Sequence, residues 1–245
     1  MKSLWDQAKV DNSPMRLYAS HPDGPGPFPA VVVIQHQGGV DEFMEEMTRK
    51  IAAAGFFGVS PDLYHRDAPG CRDDGPTRRS RLRDPAVIRD VNATVDFLKG
   101  QKLADGERLG IIGFCMGGRI AYLMAAVNPA FKAGVAYYGG NIMVPWGDGP
   151  SPFERSSEIR CPLLGHFGAE DKNPSPEDMK KLDAELDKFG KPHEFYSYPG
   201  AGHAFMDRHG NKYHADADAA SWPRTVDFFG KHLVRATRKM AAASL

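Results

Sequence analysis

Short apolar runs alternate with segments of helical period along most of the chain. The run at 30–35, AVVVIQ, is continuous and rich in β-branched residues, which is typical of a strand buried on both faces. Further strand-like runs lie at 56–64, 108–114, 133–140, 161–168 and 193–200, with an earlier, antiparallel candidate at 14–20. Helical segments, which place apolar residues three or four positions apart, lie at 41–54, 85–98, 119–127, 175–189 and 221–233.

Strands that alternate with helices of about 10–15 residues predict a mainly parallel sheet with helices on both faces, which is the α/β fold class. No repeat, low-complexity linker or long charge run divides the chain, so we expect residues 1–245 to form a single domain. The polar, turn-rich stretch 66–84 predicts a long loop at one end of the sheet. Pro223 is expected in the first turn of the last helix, and 240–245 as a frayed end.

Composition excludes several classes of protein. The 245 residues carry 31 Lys and Arg against 31 Asp and Glu, and this neutral balance argues against non-specific nucleic-acid binding. No apolar run reaches the roughly 18 residues of a membrane span, and the first residues lack the apolar core of a signal peptide. Three cysteines without a CxxC pair predict no disulfide framework or zinc site, and we expect a reducing cytoplasm.

The strongest chemical signal is GFCMG at 113–117, which follows a strand-like run and precedes a helical one. This is the pattern of a nucleophile elbow, with Cys115 where most such turns carry serine. Glycines two residues away on either side avoid backbone collisions in so sharp a turn. The helix N-terminus favours the thiolate, and the Met116 N–H is placed to stabilise an oxyanion. The alternative is a tight turn that carries a buried, inert cysteine.

Two further side chains follow later strand-like runs. Asp171 comes just after 161–168, and His203 just after 193–200. Nucleophile, acid and histidine thus fall in the chain order of α/β-hydrolases, each at a strand's C-terminal end, where ligand sites collect in open α/β sheets. We predict Cys115 as nucleophile, His203 as base and Asp171 as acid. The alternatives are a polar loop histidine and, for the aspartate, a helix N-cap.

Several segments together resemble the dienelactone hydrolase family of the α/β-hydrolases, also called carboxymethylenebutenolidases. They are GFCMGG, PDLY with the polar loop after it, AGVAYYGG, GAEDKNPSPE and YPGAGHAFMD, and the resemblance spans about residues 15–233. It implies an α/β-hydrolase fold with about seven to eight strands and no large cap domain. It also implies a Cys115–His203–Asp171 triad that hydrolyses enol-lactone or activated ester bonds through a thioester, with no metal or organic cofactor.

The resemblance also implies a second oxyanion donor, the backbone N–H of Gln37, beside that of Met116. Well-known members carry a glutamate just before this donor as part of the thiol-activating network, whereas this chain has His36. No carboxylate therefore accepts the thiol proton at this position. Our hypothesis makes His36 a second cationic neighbour of the thiolate or a contact of the substrate. The alternative is that it only shapes the loop.

The sequence defines substrate contacts less sharply. Family members that cleave dienelactone hold its carboxylate with arginines. The polar loop offers Arg78, Arg79, Arg81 and Arg83 as bidentate carboxylate contacts, and of these we select Arg81. A solvated, ion-paired surface is the alternative. Tyr138 is our choice of substrate contact among the aromatic residues expected near the same end of the sheet, which are Tyr64, Tyr137, Tyr138, Trp146 and Phe167. His209 and His214 lie near Asp216 and Asp218, but their spacing matches no standard ligand pattern, so we expect no metal site.

The sequence therefore predicts a cytoplasmic hydrolase of small-molecule lactones or activated esters. It is expected as a monomer or small homo-oligomer that binds neither nucleic acid nor membrane. A thiolate is a good leaving group as well as a good nucleophile, which suits substrates whose own leaving oxygen departs readily. Two interpretations stay open: a promiscuous esterase, thioesterase or phosphotriesterase, and a catalytically weakened redox-sensing or binding protein with Cys115 as an oxidisable thiol.

Overall fold

A computed structural model describes residues 1–234 and contains, within them, one eight-stranded sheet. The strands are β1 (Lys2–Val10), β2 (Ser13–His21), β3 (Phe28–Ile34), β4 (Phe57–Pro61), β5 (Ala104–Phe114), β6 (Phe131–Tyr137), β7 (Leu163–Gly168) and β8 (His193–Tyr198). They lie in the order β1-β2-β4-β3-β5-β6-β7-β8. Strand β2 pairs antiparallel with β1 and β4, and the other neighbours are parallel. The predicted α/β fold with a mainly parallel sheet is confirmed.

Helices cover both faces of the sheet. They are α1 (Glu42–Ala53), α2 (Gly75–Ser80), α3 (Asp84–Lys99), α4 (Met116–Val127), α5 (Pro176–Lys188) and α6 (Ala215–Leu233), with a short 3₁₀ helix at Phe153–Glu158. Helices α1 and α6 bury Phe43, Met47 and Phe229 in one core. Helices α3, α4 and α5 bury Val91, Ile120 and Leu182 in the core on the opposite face. No helix among residues 1–234 is both long enough and apolar enough to span a membrane.

The structure differs from the sequence prediction mainly at exposed elements. Strand β1 has mostly exposed side chains and so lacks the apolar alternation by which a strand is recognised. Helix α2 lies inside 66–84, a stretch that was predicted as a loop, and the helix buries none of its own residues. Helix α6 begins at Ala215 rather than Ser221, so Pro223 lies inside the helix and not in its first turn. The predicted frayed end at 240–245 lies outside the described residues.

Parallel strands bring distant loops to one edge of the sheet. Gln37 follows β3, Cys115 follows β5, Asn141 follows β6, Asp171 follows β7 and His203 follows β8. Because these strands run in the same direction, their C-terminal ends lie side by side. This edge is where the candidate site is built.

Candidate active site

Cys115 stands on the sharp turn between β5 and α4. Its backbone angles, φ 58° and ψ −118°, lie in a region that non-glycine residues rarely adopt. A Cβ on Gly113 would overlap the carbonyl group of Gly117, and a Cβ on Gly117 would overlap the carbonyl of Ile34. Both glycines are therefore required for strand and helix to meet at this angle. The turn leaves the Cys115 thiol half-buried at the wall of a cavity.

His203, on the loop after β8, contacts both Asp171 and Cys115. Its Nδ1–H donates to Oδ2 of Asp171 at 2.8 Å. The buried Asp171 carboxylate also accepts the backbone N–H of Asn173 at 2.9 Å, which fixes its orientation. Burial lowers the pKa of His203, but hydrogen bonds to Asp171 and to the Cys115 thiol outweigh burial and raise this pKa to about 9. The imidazole is therefore mainly protonated at neutral pH.

Three hydrogen-bond donors converge on the Cys115 sulfur. Burial raises the pKa of the thiol, but the His203 imidazole and the backbone N–H groups of Met116 and Gln37 together lower it below its ordinary value. The two backbone groups predicted as oxyanion donors are thus the two that reach the sulfur. A carbonyl under attack by this sulfur would have both N–H groups close to its developing oxyanion.

Tyr64 holds the loop that carries the Gln37 N–H. Its hydroxyl donates to the Gln37 carbonyl oxygen at 2.9 Å, and the Arg78 guanidinium lies 4.0 Å from the centre of its ring. Gly75 packs so closely on the same carbonyl group that a Cβ would come within 2.6 Å of the oxygen. From the sequence, Tyr64 was expected only as one of the aromatic residues near this end of the sheet. The order of residues along the chain does not show which backbone group its hydroxyl contacts.

A cavity of about 250 Å³ opens over the three side chains. Two basic residues, Arg79 and Lys172, line it, and neither forms an ion pair with any residue of the described chain. Two unpaired cations beside the Cys115 sulfur favour an anionic ligand in this space. The rest of the wall consists of Gln37, Cys115, Met116, Gly140, Asn141, Trp146, Asp171, Asn173 and His203.

His36 does not line this cavity. Its Nε2 lies 2.7 Å from Oδ2 of Asp41, and its ring packs edge-on against Phe43 with ring centres 5.5 Å apart. Asp41 is also the N-cap of α1, where its other oxygen accepts the Met44 N–H. The imidazole therefore ties the loop after β3 to the start of α1. The expectation of a substrate contact is corrected to a loop-shaping role, which was the alternative.

Arg81 also lies outside the cavity. It forms ion pairs with Asp67 and Asp73 at the surface, where its charge is already neutralised. Arg79, two residues earlier, reaches the cavity instead. Among the arginines of this stretch, Arg79 and not Arg81 lines the cavity. The reason is local: the stretch folds partly into α2, and successive side chains of a helix point in different directions.

Tyr138 lies behind the imidazole rather than on the cavity wall. Its ring centre is 5.2 Å from that of His203 and 5.1 Å from that of Phe205, and the residue is buried. Its hydroxyl has no hydrogen-bond partner among residues 1–234. The predicted substrate contact is therefore corrected to a packing contact with the His203 ring.

Arg119 and Asp84 are site residues that sequence reasoning missed. Arg119 is fully buried on α4 and forms an ion pair with Asp84 at 2.6 Å. It also donates to the carbonyl oxygens of Asn141 and Val144, at 3.2 and 2.6 Å, and lies 4.0 Å from the centre of the Trp146 ring. These contacts hold the segment that supplies one cavity wall. A single charge in an otherwise apolar helix, RIAYLMAAV, was the available signal.

Known proteins are similar to this chain over most of its length. The Dienelactone hydrolase family model matches residues 15–233. A Methylorubrum extorquens protein provisionally named a carboxymethylenebutenolidase is 35% identical over 225 residues, which cover 88% of this chain and 76% of that protein. A Klebsiella pneumoniae structure provisionally named a dienelactone hydrolase matches with a TM-score of 0.85 and 29% identity, covering 95% of this chain and 100% of that chain.

A dienelactone hydrolase-like promiscuous phosphotriesterase from metagenomic libraries has a TM-score of 0.79. The match covers 94% of this chain and 98% of that chain, but at 22% identity it shows only the shared fold. The family model and the Methylorubrum protein carry the assignment, since each matches most of the chain. This chain belongs to the dienelactone hydrolase family, and it is a hydrolase with the α/β-hydrolase fold of that family.

Proposed function

We propose that this protein hydrolyses enol-lactone or activated ester bonds of small molecules by acyl transfer to the sulfur of Cys115. One observation carries the proposal: the imidazole of His203 binds the Asp171 carboxylate at 2.8 Å through Nδ1, and the same side chain is hydrogen-bonded to the Cys115 thiol. A histidine held in this way is oriented for proton transfer at the reacting sulfur and at the leaving oxygen.

The acylation step follows from the charges of the site. The Cys115 thiolate attacks the carbonyl carbon, a C–S bond forms, and the C=O electron pair moves to oxygen. The N–H groups of Gln37 and Met116 donate to this oxyanion. When the tetrahedral intermediate collapses, the C–O bond to the leaving group breaks, and the protonated His203 gives its proton to the leaving oxygen.

Deacylation restores the resting ion pair. The imidazole of His203, now neutral, removes a proton from a water molecule, and the resulting hydroxide attacks the thioester carbon. The same two N–H groups stabilise the second oxyanion. The C–S bond then breaks, so that the acid product leaves and Cys115 returns as thiolate beside protonated His203. Asp171 keeps the imidazole in one tautomer throughout, because it accepts the Nδ1–H.

The cavity favours substrates that carry an anionic group. Arg79 and Lys172 line it without an ion-pair partner of their own in the described chain. An arginine offers a fork of N–H donors that matches a carboxylate. We therefore assign Arg79 the role that the sequence had suggested for Arg81. A lactone or ester with a carboxylate group near the scissile bond is the substrate class that this arrangement fits best.

The test is covalent labelling of the sulfur together with turnover. Mixing the protein with a slow activated ester should produce an acyl adduct on Cys115, detected by mass spectrometry of the peptide. Cys115→Ala should lower hydrolysis of 4-nitrophenyl esters and of a dienelactone at least about a hundredfold, as expected for the loss of a covalent nucleophile.

Cys71→Ala is the matched control, because Cys71 is also a half-buried free thiol but does not line the catalytic cavity. Its activity should equal that of the unmodified protein. Turnover by Cys115→Ala close to that of the wild type would refute the proposal. Rapid oxidation of Cys115 by peroxide, with no acylation by any activated ester, would instead favour a redox-sensing protein.

A further inference from the structure

A second cavity, of about 130 Å³, adjoins the catalytic one. The two cavities meet at Asn141 and Asn173, which line both. These residues bind each other: the Asn141 backbone N–H donates to Asn173 Oδ1 at 3.0 Å, and Asn173 Nδ2 donates to Asn141 Oδ1 at 3.2 Å. One hydrogen-bonded pair of residues thus forms the boundary between the triad and the second space.

The second cavity is lined mainly by apolar side chains. Its one charged residue, Asp178, is occupied as part of the capping box of α5, where its carboxylate accepts the Ser175 N–H at 3.0 Å. Apolar walls favour a bound hydrocarbon by about 25 cal/mol for each Å² of apolar surface removed from water. The space therefore suits a short hydrocarbon chain and not a charged group. Its apolar walls are formed by Ile142, Met143, Val144, Pro174 and Leu182.

The catalytic groups leave one direction open for the acyl chain of a substrate. In the tetrahedral intermediate the oxyanion points to the N–H groups of Gln37 and Met116, and the leaving oxygen points to His203. The remaining substituent of the carbonyl carbon then lies along the rest of the cavity wall, of which Gly140 and Asn141 form part. The second cavity begins at this wall.

We infer that the second cavity is an acyl-chain subsite, which takes the aliphatic end of a straight-chain acyl group whose carbonyl lies at Cys115. This inference rests on the proposed function and adds to it a substrate class, esters of short to medium-length aliphatic acids. The acyl chain passes the Asn141–Asn173 pair and buries its methylenes against Leu182 and Ile142, both of which are buried residues.

The primary experiment is a chain-length series. For 4-nitrophenyl acetate, butyrate, hexanoate and octanoate, kcat/KM of the wild type should rise with each added methylene that enters the cavity, by up to about fourfold per methylene. Leu182→Ala should move the optimum to a longer chain, because it enlarges the cavity. Val144→Trp should move the optimum to a shorter chain, and its 47% exposed position at the cavity wall tolerates a large side chain.

Leu186→Ala is the matched control. Leu186 is a buried leucine on α5, one turn beyond Leu182, but it does not line either cavity. It should lose stability like Leu182→Ala while keeping the wild-type chain-length profile. Equal profiles in Leu182→Ala and Leu186→Ala, or a flat profile in the wild type, would overturn the inference. If Leu182→Ala does not fold, Val144→Trp decides the question alone.

A second measurement separates this inference from the proposed function. Alkylation of Cys115 by N-alkyl iodoacetamides of increasing chain length requires no ester turnover, and its rate should rise with chain length in the same Leu182-dependent way. Chain-dependent alkylation without any ester hydrolysis would support the subsite and refute the proposed function. Ester hydrolysis at rates that do not depend on chain length would refute the subsite and leave the proposed function standing.

Discussion

The guanidinium of Arg119 binds the carboxylate of Asp84 in a bidentate ion pair, with 2.6 Å from Nη1 to Oδ1 and 2.9 Å from Nη2 to Oδ2. Arg119 lies one turn beyond Cys115 on the helix that starts at the elbow, and Asp84 is the first residue of α3. The Asp84 carboxylate also accepts the Trp146 backbone N–H at 3.1 Å. The pair therefore connects the helix that starts at Cys115 to the segment that forms one wall of the cavity over this residue.

Removing one member of this pair should destabilise the fold strongly. Arg119→Met leaves the Asp84 carboxylate buried and unpaired, and we expect the free energy of unfolding to fall by about 3–5 kcal/mol, measured by urea denaturation. Arg119→Met combined with Asp84→Leu should recover most of this loss, since no buried charge remains. KM of the double variant should stay above that of the wild type, because Arg119 no longer contacts Asn141 and Trp146.

Arg108→Met provides the control for the ion-pair experiment. Its partner Asp105 lies three residues away and both side chains are partly solvated, so the loss should be below about 1 kcal/mol. Equal instability of the Arg119→Met single and double variants would contradict the view that the unpaired Asp84 charge is the cause.

The pKa values of Cys115 and His203 predict a bell-shaped pH profile of kcat/KM. Activity should rise with pH as the Cys115 thiol, whose pKa is lowered, loses its proton, and should fall as His203 loses its proton near pH 9. Asp171→Asn removes the carboxylate that raises the pKa of His203, so the alkaline limb should move to lower pH. The pH dependence of kcat/KM for one activated ester in both proteins tests this.

Iodoacetamide labelling checks the thiolate directly. Because the pKa of the Cys115 thiol is lowered, its labelling rate should rise and level off at a lower pH than that of an ordinary thiol. Labelling that rises only near the ordinary thiol pKa of about 8.5 would contradict this prediction. Cys161 is an internal control: burial raises the pKa of its thiol to about 12, so it should stay unlabelled at neutral pH.

Arg79→Gln should discriminate between anionic and neutral substrates. If the Arg79 guanidinium binds a substrate carboxylate, its loss lowers kcat/KM for a carboxylate-bearing lactone about 10- to 100-fold, the range of a hydrogen bond to a charged group. A neutral 4-nitrophenyl ester should change much less. Arg81→Gln is the matched control and should leave both rates unaltered, because Arg81 is ion-paired outside the cavity. The opposite ranking of the two arginines would restore the sequence-based assignment.

Tyr64→Phe should weaken the oxyanion site without removing any catalytic group. Loss of the hydroxyl frees the Gln37 carbonyl and lets its loop relax, so kcat should fall about 2- to 10-fold, with KM nearly constant. Tyr122→Phe is the control. It also removes a buried hydroxyl, which forms a 2.6 Å hydrogen bond with Ser156 but does not line the cavity, and it should leave kcat unchanged. A similar loss of kcat in both variants would indicate a general effect on stability.

Much of the site was accessible from local sequence because its geometry is local. The elbow needs small residues at 113 and 117, and the structure has no room for a Cβ at either position. Asp171 and His203 each follow a strand-like run, and parallel strands bring such positions to one edge. The chain order of Cys115, Asp171 and His203 therefore predicted their convergence.

Side-chain direction was not accessible in this way. Arg79 and Arg81 are equivalent as residue types, and only the course of α2 decides which one reaches the cavity. His36 was assigned by its position beside Gln37, yet its partner is Asp41 on the next helix cap. Strand β1 escaped prediction because its residues are exposed and so give no apolar alternation.

The sequence by itself determined the alternation of strands and helices, the elbow at Cys115 and the order of its partners, since these depend on short-range sterics and on periodic burial. Only the tertiary structure decided that Arg119 and Asp84 pair beneath the cavity wall, and that an apolar space adjoins the catalytic one behind Asn141 and Asn173. The physical reason is that a buried charge or a cavity is defined by groups from separate elements. Their distances follow from packing and not from spacing along the chain.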